Sequence, residues 1–167
     1  PGPMAVRAEV LEAMLHPMMP HRSAAMELLR SIVHGRLQPL FGTQRPVYVG
    51  NGSATSAMEM GIRCGSVDRV LALGCGAFGE RFARIAELTR REVTRVVVEP
   101  GEAGSPAQVS MALERGAYDT VTMVHSETST GALCGVAAIA GAVREGSHAM
   151  LLVDAVTSVG AMPVEMD

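Results

Sequence analysis

A short polar segment from Gly52 to Thr55 has the residue types of a phosphate-binding loop. It joins an apolar run at 46–49 to a segment with helical spacing over 55–63. At such a junction the free backbone N–H groups of the first helical turn and the hydroxyls of Ser53 and Thr55 point to one spot, which favours a phosphate. The same residue types also make ordinary helix caps, and taken alone they favour the cap.

A glycine-rich segment from Gly74 to Gly79 matches the spacing of a dinucleotide-binding turn. It follows an apolar run and precedes a helical pattern, and Glu99 follows the next run. In a Rossmann domain the glycines approach the pyrophosphate and the acidic residue binds the ribose hydroxyls. A dinucleotide- or S-adenosylmethionine-binding domain that uses Gly74, Gly76, Gly79 and Glu99 is therefore an open alternative.

Two titratable side chains follow later apolar runs. Asp154 follows the run 149–153, where a carboxylate in a crevice needs a cationic partner or hydrogen bonds. A protonated pyridine nitrogen would suit it, although an aspartate satisfied by backbone groups in a turn is the commoner case. His125 opens a polar segment, but nothing spaces it with other ligands, so we expect no metal site.

The elements that must position these residues are predicted by apolar runs and helical spacing. Runs rich in β-branched residues predict buried parallel strands at 46–49, 69–73, 94–98, 120–124 and 149–153. Helical spacing lies between the later runs, and two further amphipathic helices precede the first. The alternation predicts an α/β domain, a three-layer α/β/α fold with a mostly parallel sheet, over 46–167, preceded by a helical arm over 1–45. Ligands of such sheets bind beyond the carboxyl ends of the strands, where the polar segments lie.

Composition narrows the function classes. A net charge of -3 and 3% aromatic residues argue against nucleic acid as a partner, and the apolar runs are too short to cross a membrane. The chain opens without a charged leader, and an odd, widely spaced set of cysteines (Cys64, Cys75 and Cys134) fits a soluble protein of the reducing cytoplasm. All 14 basic side chains are arginine, so this chain has no lysine side chain to take part in a reaction.

The polar and glycine-rich segments form an ordered series along the whole chain. Its members are Pro1-Gly2-Pro3, His21-Arg22-Ser23, Phe41-Gly42-Thr43, Gly52-Ser53-Ala54-Thr55 with Met58-Glu59, Gly76-Ala77-Phe78-Gly79-Glu80-Arg81, His125-Ser126-Glu127-Thr128-Ser129-Thr130-Gly131 and Asp154-Ala155-Val156-Thr157-Ser158. That series resembles the class V aminotransferases, the group with the alanine-glyoxylate, serine-glyoxylate and serine-pyruvate transaminases. The resemblance implies the large domain of a fold type I enzyme that binds pyridoxal 5'-phosphate.

The resemblance also assigns roles to individual residues. It implies that the phosphate is bound by Ser53, Ala54 and Thr55, and that Phe78 stacks on the pyridine ring. Thr128 would contact the cofactor near its phenolic oxygen. Asp154 would pair with the ring nitrogen and keep it protonated, which makes the ring an electron sink.

The chain departs from the family by ending at Asp167, before the lysine that holds the cofactor and before the small domain that grips the substrate. We therefore expect the N-terminal part of the large domain, an inactive fragment that binds the cofactor noncovalently at best. The family pairs its first strand with later strands, so strand 46–49 would be orphaned, which favours abnormal pairing or self-association into a dimer. A noncatalytic subunit that joins a full-length homologue is a further alternative.

Overall fold

The computed structural model describes residues 4–167, so the motif Pro1-Gly2-Pro3 lies outside the described residues. The helices are α1 (Ala8–Ala13), α2 (Ala24–Leu37), α3 (Ala54–Gly65), α4 (Ala77–Leu88), α5 (Pro106–Leu113) and α6 (Val136–Gly146), with a 3-10 turn at Gln38–Phe41. The strands are β1 (Arg69–Gly74), β2 (Glu92–Val97), β3 (Thr120–Val124), β4 (Ser126–Glu127), β5 (Ala132–Leu133) and β6 (Met150–Asp154).

Four of these strands form one parallel sheet in the order β2-β1-β3-β6. Helices α3 and α4 cover one face, where Ile62 and Phe82 pack with Val70. Helices α5 and α6 cover the other, where Val109 and Ile139 pack with residues such as Leu71 and Val121. Successive side chains of a strand point to opposite faces, so both faces of β1 and β3 are buried. The predicted three-layer α/β/α architecture is confirmed.

The predicted strand at 46–49 is wrong, because this segment has no regular secondary structure. A strand exists only where a neighbour pairs its N–H and C=O groups, and no strand among residues 4–167 pairs with it. Its side chains are also not buried, since Tyr48 is 85% and Val49 69% exposed. The other predicted strands are confirmed, but β2 and β6 are edge strands and only partly buried, so burial on both faces holds for β1 and β3 alone.

The crossover helices follow from local sequence signals. Helix α5 begins with the capping box that the sequence predicts: Ser105 accepts from the Gln108 backbone N–H, and Gln108 accepts from the Ser105 backbone N–H. Helix α4 lies very close to β1, because a Cβ on Gly79 would come within 2.9 Å of the Gly74 Cα. Among residues 4–167 no helix is both long enough and apolar enough to span a membrane.

Contacts divide the described chain into two compact units, residues 4–50 with 159–167, and residues 51–158. In the first unit, Ser23 caps α2, and the Thr43 hydroxyl donates to the Asp167 carboxylate at 2.9 Å. Gly42 has a left-handed φ of 53°, and a Cβ there would lie 2.7 Å from the Val164 carbonyl oxygen. The division into an arm over 1–45 and a domain over 46–167 stays a prediction.

Candidate functional site

A buried carboxylate fills the N-terminus of α4. Glu127 is fully buried, and its carboxylate accepts the backbone N–H groups of Phe78 and Gly79, each at 3.0 Å. The same carboxylate accepts the Ser129 hydroxyl at 2.6 Å. Free N–H groups at a helix start attract anions. Here a side chain of the protein itself takes that place.

This arrangement gives the glycine-rich turn a role in packing. A Cβ on Gly76 would lie 2.5 Å from the Ser129 Oγ and 2.6 Å from the Glu127 Cγ, so only glycine lets the carboxylate come this close. A pyrophosphate at this turn would have to displace Glu127 and leave that buried carboxylate unpaired, which is costly. Glu99, the residue expected to bind ribose, is exposed beyond the edge strand β2. The geometry therefore argues against the dinucleotide-binding alternative.

Glu127 reaches α4 because it lies on a small antiparallel hairpin that the sequence does not predict. Strands β4 and β5 pair Ser126 with Leu133 and Glu127 with Ala132. The Ser129 hydroxyl accepts the Ala77 N–H at 2.9 Å, and the Thr130 hydroxyl donates to the Cys75 carbonyl at 2.9 Å. Two-residue strands are too short for a periodic pattern. The available signal is Gly131, whose φ of 78° suits a tight turn.

The N-terminus of α3, in contrast, is open. Ser53 is exposed and its hydroxyl accepts the Ser56 N–H at 3.2 Å, so the residue acts as a helix cap. The first turn of α3 carries no acidic residue. Ala54 is exposed and Thr55 half-buried. The positive end of the α3 helix dipole is therefore available to an anion from outside.

Arg81 connects the starts of α3 and α4. Its guanidinium lies 4.8 Å from the centroid of the Phe78 ring and donates to the Thr55 hydroxyl at 3.3 Å. The ring of Phe78 is half-buried and packs against the core cluster that contains Phe82 and Ile85. A cation against an aromatic face restricts the ring. From the sequence, Arg81 is only a member of the motif that starts at Gly76. Its contacts with Thr55 and Phe78 are not predicted, because they depend on how α3 and α4 pack.

Asp154 lies at the carboxyl end of β6, beside the end of β3. It is half-buried, its carboxylate accepts the Val156 N–H at 3.0 Å, and its carbonyl accepts the His125 N–H at 2.9 Å. No arginine forms a salt bridge with Asp154 in the described chain. The Nδ1 of buried His125 has no hydrogen-bond partner among residues 4–167, which is costly unless a ligand or water supplies one.

The six residues assigned by the resemblance all lie in the unit 51–158, and none is buried. Ser53, Ala54 and Thr128 are exposed, and Thr55, Phe78 and Asp154 are half-buried. Direct contacts join Thr55 to Phe78 through Arg81, and Phe78 to the hairpin through Glu127, the neighbour of Thr128. Asp154 lies opposite Val124 at the same end of the sheet, because β3 pairs with β6. Their roles toward a cofactor stay predictions.

The fold and these residues define the class of the protein. The fold has three layers, with a parallel sheet between two layers of helices and polar residues at the carboxyl ends of the strands. This is the architecture of α/β proteins that bind a ligand at those ends. No family model matches the chain. Individual proteins do match, and over its entire length.

Several of these proteins are named aminotransferases, and two others are named soluble hydrogenase subunits. The chain is 37% identical to an uncharacterized aminotransferase of Methanocaldococcus jannaschii, covering 100% of this chain and 44% of that protein. It is 31% identical to L-aspartate–glyoxylate aminotransferase of Paracoccus denitrificans, covering 100% of this chain and 44% of the relative. The chain also matches the crystal structure of alanine–glyoxylate aminotransferase from Nostoc sp., at 31% identity and a TM-score of 0.91. The match covers 98% of this chain and 44% of the Nostoc chain.

The chain therefore spans less than half the length of the relatives it matches. Its fold is that of the fold type I aminotransferases, and the chain is a homologue of part of the class V aminotransferases. The expectation from the motifs, a partial transaminase, is confirmed at this level, and the dinucleotide-binding alternative is not favoured.

Proposed function

We propose that this chain is the cofactor-binding part of a pyridoxal-phosphate-dependent aminotransferase. The observation that carries the proposal is the difference between two neighbouring helix starts. Glu127 fills the start of α4, whereas the start of α3 is open and carries Ser53 and Thr55. An anionic group is favoured at α3 and repelled by the Glu127 carboxylate at α4.

The phosphate of the cofactor would bind at the start of α3. Backbone N–H groups of its first turn, including that of Ala54, and the hydroxyls of Ser53 and Thr55 supply donors. The Ser53 hydroxyl already accepts from Ser56, so it can donate its own proton to a phosphate oxygen. This capping role and phosphate binding are therefore compatible.

The pyridine ring would lie against Phe78, with Asp154 at its nitrogen and Thr128 near its phenolic oxygen. Arg81 lies 4.8 Å from the centroid of the Phe78 ring and restricts its orientation. The bound cofactor supplies an electron sink for the carbanion of amino-group transfer. The carboxylate of Asp154 has one backbone hydrogen bond and no basic partner in the described chain, so it fits a protonated ring nitrogen.

Binding by this chain would be noncovalent, because the sequence contains no lysine. Phosphate contacts, ring stacking and the Asp154 pair each contribute about 1–3 kcal/mol. After the entropy cost of binding, this corresponds to micromolar or weaker affinity.

For the whole protein we propose transfer of an amino group between a small amino acid, such as alanine or serine, and a 2-oxo acid, such as glyoxylate or pyruvate. The support is the glyoxylate in the names of several relatives. We also propose a cytoplasmic homodimer. Three unbridged cysteines support the compartment. Exposed apolar side chains on α1 and α2, among them Leu11, Leu28 and Ile32, support the association.

Isothermal titration with pyridoxal phosphate, NAD and S-adenosylmethionine tests the proposal. We expect binding of pyridoxal phosphate alone, weakened by Asp154→Asn. The matched control is Asp68→Asn, another aspartate of the same unit, which is exposed and should leave the affinity unchanged. Tight binding of NAD that is lost in Glu99→Ala, with no binding of pyridoxal phosphate, would contradict the proposal.

A further inference from the structure

Two cysteine side chains that have no role in the proposed function meet in the core. The Sγ atoms of Cys75 and Cys134 lie 3.2 Å apart, although the residues are 59 positions apart in sequence. Both are free thiols, with 3% and 0% of their surface exposed. The third cysteine, Cys64 on α3, is also free but exposed.

The surrounding fold holds the two thiols in place. Cys75 directly follows β1, and Cys134 directly follows β5, which belongs to the hairpin that carries Glu127. Both pack in the same core cluster with residues such as Leu73 and Met123. The hydrogen bond from the Thr130 hydroxyl to the Cys75 carbonyl ties the hairpin to the loop. The sulfur contact is therefore fixed by backbone elements on both sides.

The sulfurs need only a small shift to bond. A disulfide has an S–S length of about 2.05 Å, so closing the gap takes a movement of about 1 Å. A rotation about one side-chain torsion is of that size.

The contact also stabilises a thiolate at the pair. Either sulfur can be the donor, so the hydrogen bond lowers the pKa of the thiol that ionises first and raises the pKa of the second. The thiolate is the form that reacts with oxidants.

We propose that Cys75 and Cys134 are a dithiol site that a hydroperoxide oxidises reversibly to an intramolecular disulfide. Hydrogen peroxide transfers one oxygen to the first sulfur as its O–O bond breaks, which yields a sulfenic acid and one water. The second sulfur then attacks the sulfenic sulfur, the S–O bond breaks, and the thiol proton leaves with the hydroxide as a second water. In total the two thiols lose two electrons and two protons, and one peroxide is reduced to two waters.

The bridge would join the loop that leads into α4 to the hairpin whose Glu127 fills the start of that helix. It does not depend on a cofactor, so its test is independent of the proposed function. Reduced native protein is treated with hydrogen peroxide, the free thiols are alkylated in denaturant, and the chain is cleaved after arginine. Residues 70–81 carry Cys75 and residues 116–144 carry Cys134, each bounded by arginines.

We expect these two peptides to be linked, with a loss of about 2 Da for the two hydrogen atoms, and the link to be reversed by dithiothreitol. Cys64→Ser should leave the link intact, because Cys64 takes no part in it. Cys134→Ser should abolish it, with circular dichroism as the check of folding. Recovery of Cys75 and Cys134 as alkylated thiols in wild-type protein whose Cys64 has been oxidised would overturn the proposal, whatever the variants show.

Discussion

The carboxylate of Glu127 accepts the backbone N–H of Phe78 at 3.0 Å, so the residue expected to face the cofactor ring is held by a buried anion. This carboxylate closes one helix start and leaves the neighbouring one, at α3, as the place where an anion from outside is favoured. The proposed orientation of the cofactor depends on this difference.

Replacing Glu127 with glutamine should destabilise the protein. The amide keeps one acceptor oxygen but turns an NH₂ group toward donors that the carboxylate satisfies, namely the N–H groups of Phe78 and Gly79 or the Ser129 hydroxyl. We expect a loss of about 1–3 kcal/mol in the free energy of unfolding, measured in urea. The exposed Glu145→Gln on α6 should change it by less than about 0.5 kcal/mol. Equal stability of the two variants would show that the α4 cap is not important.

Ser53→Ala should separate the phosphate contact from the ring contacts. The variant should bind pyridoxal phosphate up to about tenfold more weakly, because one donor to the phosphate is lost. Its affinity for pyridoxal, which has no phosphate, should not change. Fluorescence titration of both ligands measures the difference.

The control for Ser53→Ala is Ser105→Ala, which removes the corresponding cap of α5. Both variants should lose about 1 kcal/mol of stability. Only Ser53→Ala should lose affinity for pyridoxal phosphate. A similar loss of affinity in both variants would assign the effect to stability instead of phosphate binding.

Arg81→Gln should weaken the binding of pyridoxal phosphate about two- to fivefold. The variant loses the cation 4.8 Å from the Phe78 ring centroid and the hydrogen bond to Thr55, and a cation–aromatic contact at an accessible site contributes about 0.5–1 kcal/mol. Arg84→Gln removes an exposed arginine of the same helix that pairs with Glu87, and should leave the affinity unchanged. If wild type binds and both variants bind equally well, Arg81 has no positioning role.

Stability should fall in acid through Asp119. Burial opposes its ionisation, but the backbone N–H groups of Arg69 and Asp68 and the hydroxyls of Ser66 and Thr120 outweigh it and lower the pKa of Asp119 from 3.8 to about 2. A depressed pKa stabilises the folded state above the unfolded pKa, and this contribution is lost as the pH falls from about 4 to about 2.

Asp119→Asn tests this pH dependence. We expect the variant to be about 1–2 kcal/mol less stable than wild type at pH 7, after allowance for solvent screening. The difference should shrink as the pH falls from about 4 to about 2. Asp68→Asn, whose carboxylate is exposed, is the control. A difference that stays constant over this range would assign the effect of Asp119 to hydrogen bonding alone, with no contribution from its charge.

The sequence predicts the parts of the fold that depend on local signals. The capping box of α5 needs only Ser105 and Gln108, three residues apart, and the structure has it. The segment 46–49 has the composition of a strand, but a strand depends on a partner from elsewhere in the chain, which composition does not reveal. Glu127 was missed as the α4 cap for the same reason, because it lies 49 residues from Phe78 in sequence.

Amide ¹H–¹⁵N spectra recorded during a titration with pyridoxal phosphate are the sharpest test of phosphate binding at the start of α3. We expect the amides of Ala54, Thr55 and Ser56 at the start of α3 to shift in a saturable way. The amide of Gly79 should move little, because Glu127 already accepts its hydrogen bond. Saturable shifts confined to Gly76–Gly79 at the start of α4, or no shifts in either helix at millimolar ligand, would show that the phosphate does not bind at α3.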